Sequence, residues 1–301
     1  MFRKFRGNPM TSSTRQQLPE RPANALDEAG IRPTTNALAR FGQINFVNSL
    51  PLTLPLLKAD LANSLAITLA NPAELNKGYS DGLLDVGAMS SFFYLEHGGF
   101  SLVPKISIAS VGKVGSVLFF ARRELMSLKS KALAITAASA TSVNLLKLLF
   151  LETAGFVPYF EVQATPAIDD LFDGALVIGD RALHVDAEWS QNYLRIDLGQ
   201  WWFDTFGLPM VFGVWAGRNE WVNQDLGRFN HLCDSLRKLF DLGLGTQFSA
   251  VLAEAATRTG LAEDRLRTYY RTELNFDLSD RHLQGLELYA SLCRKHQLLD
   301  S

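Results

Sequence analysis

Hydroxyl and amide side chains recur in this chain wherever a β-prone run gives way to a helix-prone one. Asn48 and Ser49 follow the run Gln43 to Val47, Ser90 and Ser91 follow Leu84 to Ala88, and Thr136, Ser139, Thr141 and Ser142 follow the run that starts at Ala132. Asp180 follows Ala175 to Ile178, and Ser116 sits beside Gly112 and Gly115 at the start of another apolar run. All but Asp180 hydrogen-bond without titrating near neutral pH, so their chemistry is to hold and orient a polyoxygenated anion such as a carboxylate. Asp180 alone has the side chain of a base. A helix start adds backbone N–H groups and the positive end of a dipole, which favour the same kind of ligand. An ordinary strand-to-helix cap uses the same residue types, and for any one pair it is the commoner meaning. Repetition along the chain is what points to a site.

The inventory also limits the chemistry. There is no defensible Ser-His-Asp order, P-loop, GxGxxG, CxxC or pair of acids at a junction. His97, His184, His231, His282 and His296 are scattered without metal-ligand spacing, so no zinc site is expected. Cys233 and Cys293 lie in apolar-periodic segments and read as small buried hydrophobes of a reducing compartment, the cytoplasm.

The elements that must position these residues alternate between β and α from Phe41 onward. A helix is expected to begin at Leu50-Pro51. Leu65 to Leu69 reads as a strand ending in Asn71-Pro72 with Glu74 following, an N-cap, a first-turn proline and an acidic third residue in one package. Ile106 to Ser110 and Val114 to Ala121 are consecutive strands with no helix between them, a break expected where a chain crosses from one lobe to another. Thr141-Ser142 open a long helix with a broad apolar face, and Asp180 is expected to cap the helix after Ile178. Val211 to Ala216 is a further strand, and from Gln224 the chain reads as four amphipathic helices broken near Gly243, Gly260 and Ser279.

A chain of 301 residues, 47% hydrophobic and 20% charged, fits two lobes better than one. Its formal net charge of −2 gives no reason to expect nucleic acid or a membrane as partner. Residues 1–40 are basic and rich in Ser, Thr and Pro, with no apolar run long enough for a signal peptide or a membrane span; they read as a disordered leader, a composition also shared by organellar transit peptides. The expectation is therefore an α/β protein with a two-lobed periplasmic-binding-protein-like fold of type II, a ligand cleft between lobes and a helical C-terminal segment. Residues 41–120 and 210–301 would form one lobe and 121–209 the other. The apolar C-terminal helices would serve as core or as a dimer face, so monomer and homodimer both stay open.

Six stretches in continuous order, INFVNSLPL (44–52), NPAELNKGYSDGLLDVGAMSS (71–91), VPKISIASVGKVGSVLFF (103–120), TAASATSVNLLKLL (136–149), ALVIGDRAL (175–183) and WFDTFGLPMVFGVWAGR (202–218), resemble the chorismate dehydratase family. The resemblance implies the two-lobed fold, chorismate as the small-molecule substrate, and loss of water to give 3-[(1-carboxyvinyl)oxy]benzoate in the futalosine route to menaquinone, without metal or organic cofactor. It places the family's catalytic asparagine on Asn48 and its catalytic serine on Ser116. Ser49, Ser90, Ser91, Thr141, Ser142 and Asp180 are then assigned to recognition of carboxylates and hydroxyls. The chain departs from the family pattern at Met210 and Gly213, where Phe and Ala are usual and which are expected to alter packing behind the cleft, and at Lys113, where Pro is common.

Three rivals are carried forward. The sister enzyme 1,4-dihydroxy-6-naphthoate synthase shares the fold, but would show an SPCPND-like stretch and a catalytic histidine where this chain has NSLPL. A solute-binding protein for a small carboxylate would need a secretory signal or a lipidation cysteine. A ligand-sensing regulator would need an attached helix-turn-helix.

Overall fold

The computed structural model describes residues 39–300, so the expected leader, apart from Ala39 and Arg40, lies outside the described residues. Those two residues belong to the first strand: Ala39 is buried and Arg40 bonds the carboxylate of Asp85 through its guanidinium.

Strand β1 (Ala39–Ile44) leads through a 3-10 turn (Val47–Ser49) into α1 (Leu50–Lys58). β2 (Leu65–Ala70) feeds α2 (Pro72–Ser80), and β3 (Val86–Ser90) feeds α3 (Ser91–His97), after which β4 (Phe100–Ser110) runs without a helix to β5 (Val117–Ala121). There follow β6 (Ala132–Ile135), α4 (Ala140–Ala154), β7 (Tyr159–Val162), β8 (Gly174–Ile178), α5 (Gly179–Trp189), β9 (Leu194–Asp197) and α6 (Leu198–Phe206). β10 (Met210–Arg218) precedes α7 (Asn219–Val222), α8 (Leu226–Leu244), α9 (Phe248–Thr259), α10 (Glu263–Thr268), a π-helical turn (Tyr269–Glu273) and α11 (Asp280–Lys295).

Among the described residues these strands form two five-stranded sheets, ordered β2-β1-β3-β10-β4 and β7-β6-β8-β5-β9. In the first, β1 is parallel to β2 and β3 while β10 runs antiparallel to β3 and β4; in the second, β6 is parallel to β7 and β8 while β5 is antiparallel to β8 and β9. β3 and β5 are buried at every position, which is why they read as unbroken apolar runs and not as alternating ones.

β5 pairs along its whole length with β8 and over residues 118–121 with β9, so residues 117–121 lie in the second sheet. The strand expected over Val114 to Ala121 starts only at Val117, because the N–H groups of Val114 and Gly115 are taken by the carboxylate of Asp197 at 3.0 and 2.9 Å. We propose that the lobes divide within residues 111–116 and again near 207–209.

The capping package expected at Asn71 is present: Asn71 Oδ1 accepts from Glu74 N at 3.0 Å and Glu74 Oε2 from Asn71 N at 3.0 Å. α1 is held in place by α8 and α9. Gly243 of α8 makes that approach possible, since a Cβ there would lie 1.8 Å from the carbonyl oxygen of Pro51. Beneath α1 a buried polar chain ties three elements together: Trp215 Nε1 donates to Gln43 Oε1 at 2.9 Å, and Gln43 Nε2 donates to Thr53 Oγ1 at 2.9 Å. A buried network with its bonds made fixes one arrangement of its members, and here it fixes the end of β1. Among the described residues no helix is long and apolar enough to cross a membrane. Cys233 and Cys293 are buried, and burial pushes both thiols up to about 12.

Candidate active site

A cavity opens between the two sheets, lined by residues of both. Its apolar walls are Ile44, Phe46, Met89, Ile108, Val117 and Phe212, and its polar groups are Asn48, Ser90, Ser116, Ser139 and Ser142. Every residue that lines it is uncharged. The polar groups come from strand ends and helix starts: Asn48 after β1, Ser90 at the end of β3, Ser116 on the crossing from β4 to β5, and Ser139 and Ser142 at the start of α4.

The bonds these hydroxyls already make decide what they can offer a ligand. Ser90 Oγ accepts from Asn76 Nδ2 at 2.9 Å and from Phe93 N at 3.3 Å. Both lone pairs are occupied and the hydroxyl hydrogen is left for the cavity. Ser139 Oγ accepts from Ser142 N at 3.3 Å and lies 3.0 Å from Ser142 Oγ; one of the two donates to the other, and the second hydrogen is free. Ser116 Oγ accepts from the phenol of Tyr269 at 2.8 Å. These hydroxyls already accept from the protein, Ser90 twice and Ser116 and Ser139 at least once, and the hydrogens they keep give the wall the donor polarity that suits a carboxylate. Asn48 Oδ1 is the counterweight, a buried acceptor with no partner. A buried orphan acceptor costs about 1–3 kcal/mol, which a ligand hydroxyl donating to it recovers.

The other expected site residues are placed differently. Ser49, fully buried, donates backwards to Ile44 O at 2.6 Å and Phe46 O at 2.9 Å, closing the end of β1. Thr141 Oγ1 accepts from Phe92 N at 3.0 Å and so ties α4 to α3 across the lobes. Ser91 is buried, its Oγ has no partner, and it is not on the cavity wall. Asp180 is not the cap of α5, whose N-cap is Ile178; it stands in the first turn and its Oδ1 accepts from Val47 N at 2.9 Å, a second bond from lobe to lobe. Burial pushes the Asp180 carboxyl above its ordinary value, with the Val47 N–H and the charge of Arg258 opposing. Thr136 Oγ1 is occupied by Ala138 N at 3.0 Å.

Of the departures noted in the sequence, Met210 is buried behind the cleft as expected, but Gly213 lines the cavity itself, next to Phe212. Lys113 is exposed and does not reach the wall.

The loop that carries Ser116 is gripped on several sides. Asp197 holds the N–H groups before it, and Ser116 O accepts from Gly179 N at 2.8 Å. Gly115 has φ of +68°, and a Cβ there would fall 2.1 Å from Glu273 Oε2, so glycine is required by conformation and by space. Sequence reasoning missed Asn76 and Tyr269, which bond Ser90 and Ser116, and Asp197 and Tyr270, which bond the residues just before Ser116 and Asn48. Asp197 had a local signal, because Asp-Leu-Gly before an aromatic helix is a cap, and it does accept from Gly199 N and Gln200 N. The tyrosines had none.

The menaquinone biosynthesis family model matches residues 39–295. A chorismate dehydratase of Thermus thermophilus is 33% identical over 236 residues, 73% of this chain and 84% of that protein. Among solved structures, a protein of Archaeoglobus fulgidus superposes with a TM-score of 0.69 at 18% identity, covering 87% of this chain and 98% of that one. The periplasmic aliphatic sulphonate binding protein of Escherichia coli superposes with a TM-score of 0.61 at 14% identity, covering 88% and 89%. At such identities these two likenesses speak for the binding-protein fold alone.

Proposed function

The chain belongs to the menaquinone biosynthesis family, in the company of chorismate dehydratase, and from that premise we propose that it eliminates water from chorismate to give 3-[(1-carboxyvinyl)oxy]benzoate. The observation that carries the reading to particular atoms is that Asn48 and Ser116, far apart in sequence, face one cavity with no charged residue in its lining.

The reaction asks little acid-base work of the protein. Loss of water aromatises the ring, so the drive is in the substrate, and the protein contributes orientation and stabilisation of developing charge. In the proposed step the enolpyruvyl carboxylate of the substrate takes the proton from the ring carbon that bears its ether oxygen. The C–H electron pair becomes the new ring double bond, the neighbouring C–O bond breaks, and the departing hydroxyl leaves as water with that proton. The elimination is redox-neutral and needs no external oxidant or reductant. Ser116, whose hydrogen has within the protein only Val114 O at 3.5 Å, donates to the enolpyruvyl carboxylate and holds it over the proton. Asn48 orients the substrate hydroxyl through Oδ1, and its Nδ2 is the donor for that oxygen as the C–O bond breaks and charge develops on it. Ser90, Ser139 and Ser142 receive the ring carboxylate. Ser49, Thr141 and Asp180 support the walls. The family likeness also supports the futalosine route, a cytoplasmic location and cofactor-free chemistry.

A donor wall without charge also suits simple capture of a carboxylate, and turnover separates the two readings. Formation of the enolpyruvyl benzoate by purified protein supports the dehydratase; saturable binding of chorismate without product supports a binding protein.

A further inference from the structure

Two consecutive tyrosines of the π-helical turn, Tyr269 and Tyr270, reach the two segments that carry Asn48 and Ser116. Tyr269 is fully buried and its hydroxyl lies 2.8 Å from Ser116 Oγ; Tyr270 donates to the carbonyl of Val47, the residue before Asn48, at 2.5 Å. Their rings lie 5.4 Å apart. π-helical turns are rare and are found disproportionately at functional sites.

The direction of the Tyr269 bond has a chemical consequence. A fully buried phenol must place its hydrogen on an acceptor, and Ser116 Oγ is the acceptor it has. Burial, together with the charges of Asp180 and Glu273, pushes the phenol above its ordinary value, so it stays a donor. The alternative internal acceptor for the Ser116 hydrogen is Val114 O at 3.5 Å, the outer limit of a hydrogen bond. The Ser116 hydrogen is thereby left for a ligand in the cavity. Without Tyr269, Ser116 Oγ would have a lone pair to satisfy and its hydroxyl would be free to turn.

The turn itself is fixed against the Ser116 loop. Arg265 Nη1 donates to Glu273 Oε2 at 2.9 Å, the Arg265 guanidinium lies 5.9 Å from the Tyr269 ring centroid, and Glu273 occupies the space that a Cβ on Gly115 would need.

We propose that Tyr269 is a positioning residue for the elimination: by donating to Ser116 Oγ it commits the Ser116 hydrogen to the carboxylate of the substrate. The proposal rests on the dehydratase reading. It differs from a tie that merely anchors the C-terminal helices, because its effect must pass through the Ser116 hydroxyl.

The test is a double-mutant cycle on the full chain, with kcat and KM for chorismate measured for wild type, Tyr269→Phe, Ser116→Ala and the double variant. Tyr269→Phe is expected to lower kcat about 10-fold with KM within about 2-fold of wild type, the size of one lost hydrogen bond to a charge-bearing step. In the Ser116→Ala background the same substitution is expected to cost less than about 2-fold, because the group it acts through is gone. Equal losses in both backgrounds, or an unchanged kcat in Tyr269→Phe, overturn the positioning role and leave the dehydratase reading standing. A wild type that makes no product overturns that reading, and the positioning role with it. Glu273→Gln keeps the buried phenol and loosens the turn that carries it; run through the same cycle it is expected to lower kcat about 3-fold through Ser116, and it carries the test if Tyr269→Phe does not fold.

Discussion

The two helix starts that face each other across the cleft are built from similar residues and used in different ways. At α1 the hydroxyl, Ser49, is spent on the carbonyls of Ile44 and Phe46, and Asn48 alone faces the cavity with an unpartnered acceptor. At α4 the hydroxyls Ser139 and Ser142 face the cavity, and Thr141 is spent on Phe92 N. One side is a rigid acceptor on a buried polar network and the other a surface of donors. A substrate with a leaving hydroxyl and two carboxylates has a place on each.

The comparison is broken most severely at the acceptor. Asn48→Ala is expected to lower kcat about 100-fold or more with KM changed only a few-fold, the size of effect seen when one preorganised polar contact to a transition state is removed. Product formation at saturating chorismate checks it, and a wild-type kcat would remove Asn48 from the chemistry. On the donor side Ser142→Ala is expected to act in the other parameter. Loss of one hydrogen bond to a carboxylate raises KM about 10-fold with kcat nearly kept, and a fall confined to kcat would contradict the assignment to binding.

Ser49→Ala sharpens the contrast within α1. The substitution removes the one hydroxyl hydrogen that Ile44 O and Phe46 O share, while Phe46 O keeps the N–H of residue 49, and is expected to lower the free energy of unfolding by about 1 kcal/mol, read as a lower urea midpoint. A KM shift like that of Ser142→Ala, with stability unchanged, would put Ser49 in the site after all. The smallest effect concerns Asp180, whose carboxyl burial holds above the ordinary 3.8. Between 3.8 and the raised value the folded protein binds the proton more often than the unfolded chain, so stability falls as pH rises through that window. Asp180→Asn keeps an acceptor for the Val47 N–H and is expected to flatten that part of the curve; urea midpoints with the same slope in both proteins would contradict it.

Much of this arrangement was legible in the residues. The β-to-α junctions carry local chemistry, Pro51, the Asn71 capping box and the Ser90 cap, and local chemistry is what a linear sequence displays; α4, expected to open at Thr141-Ser142, starts at Ala140 with Ser139 as its cap. β4 and β5 were legible as two strands without a helix between them, although β5 starts later than expected because Asp197 holds the residues before Val117 out of the sheet. Residue type did not tell which way a hydroxyl turns. Ser49 and Ser90 occupy equivalent junctions, and only the three-dimensional neighbours, backbone carbonyls for one and Asn76 for the other, send the first inward and leave the second facing the cavity. β7 went unread because Tyr159 and Val162 are exposed on an edge strand and make no buried pattern. Tyr269 and Tyr270 act on residues more than half the chain away from a turn that has no sequence signature.

The most direct measurement is incubation of the purified protein with chorismate, with ultraviolet absorbance and mass spectrometry following the aromatic product, and Asn48→Ala run alongside. The account predicts 3-[(1-carboxyvinyl)oxy]benzoate from the wild type and little from the variant under saturating substrate. Chorismate bound saturably and returned unchanged by the wild type would contradict it, and would make this cleft a carboxylate-binding site without turnover.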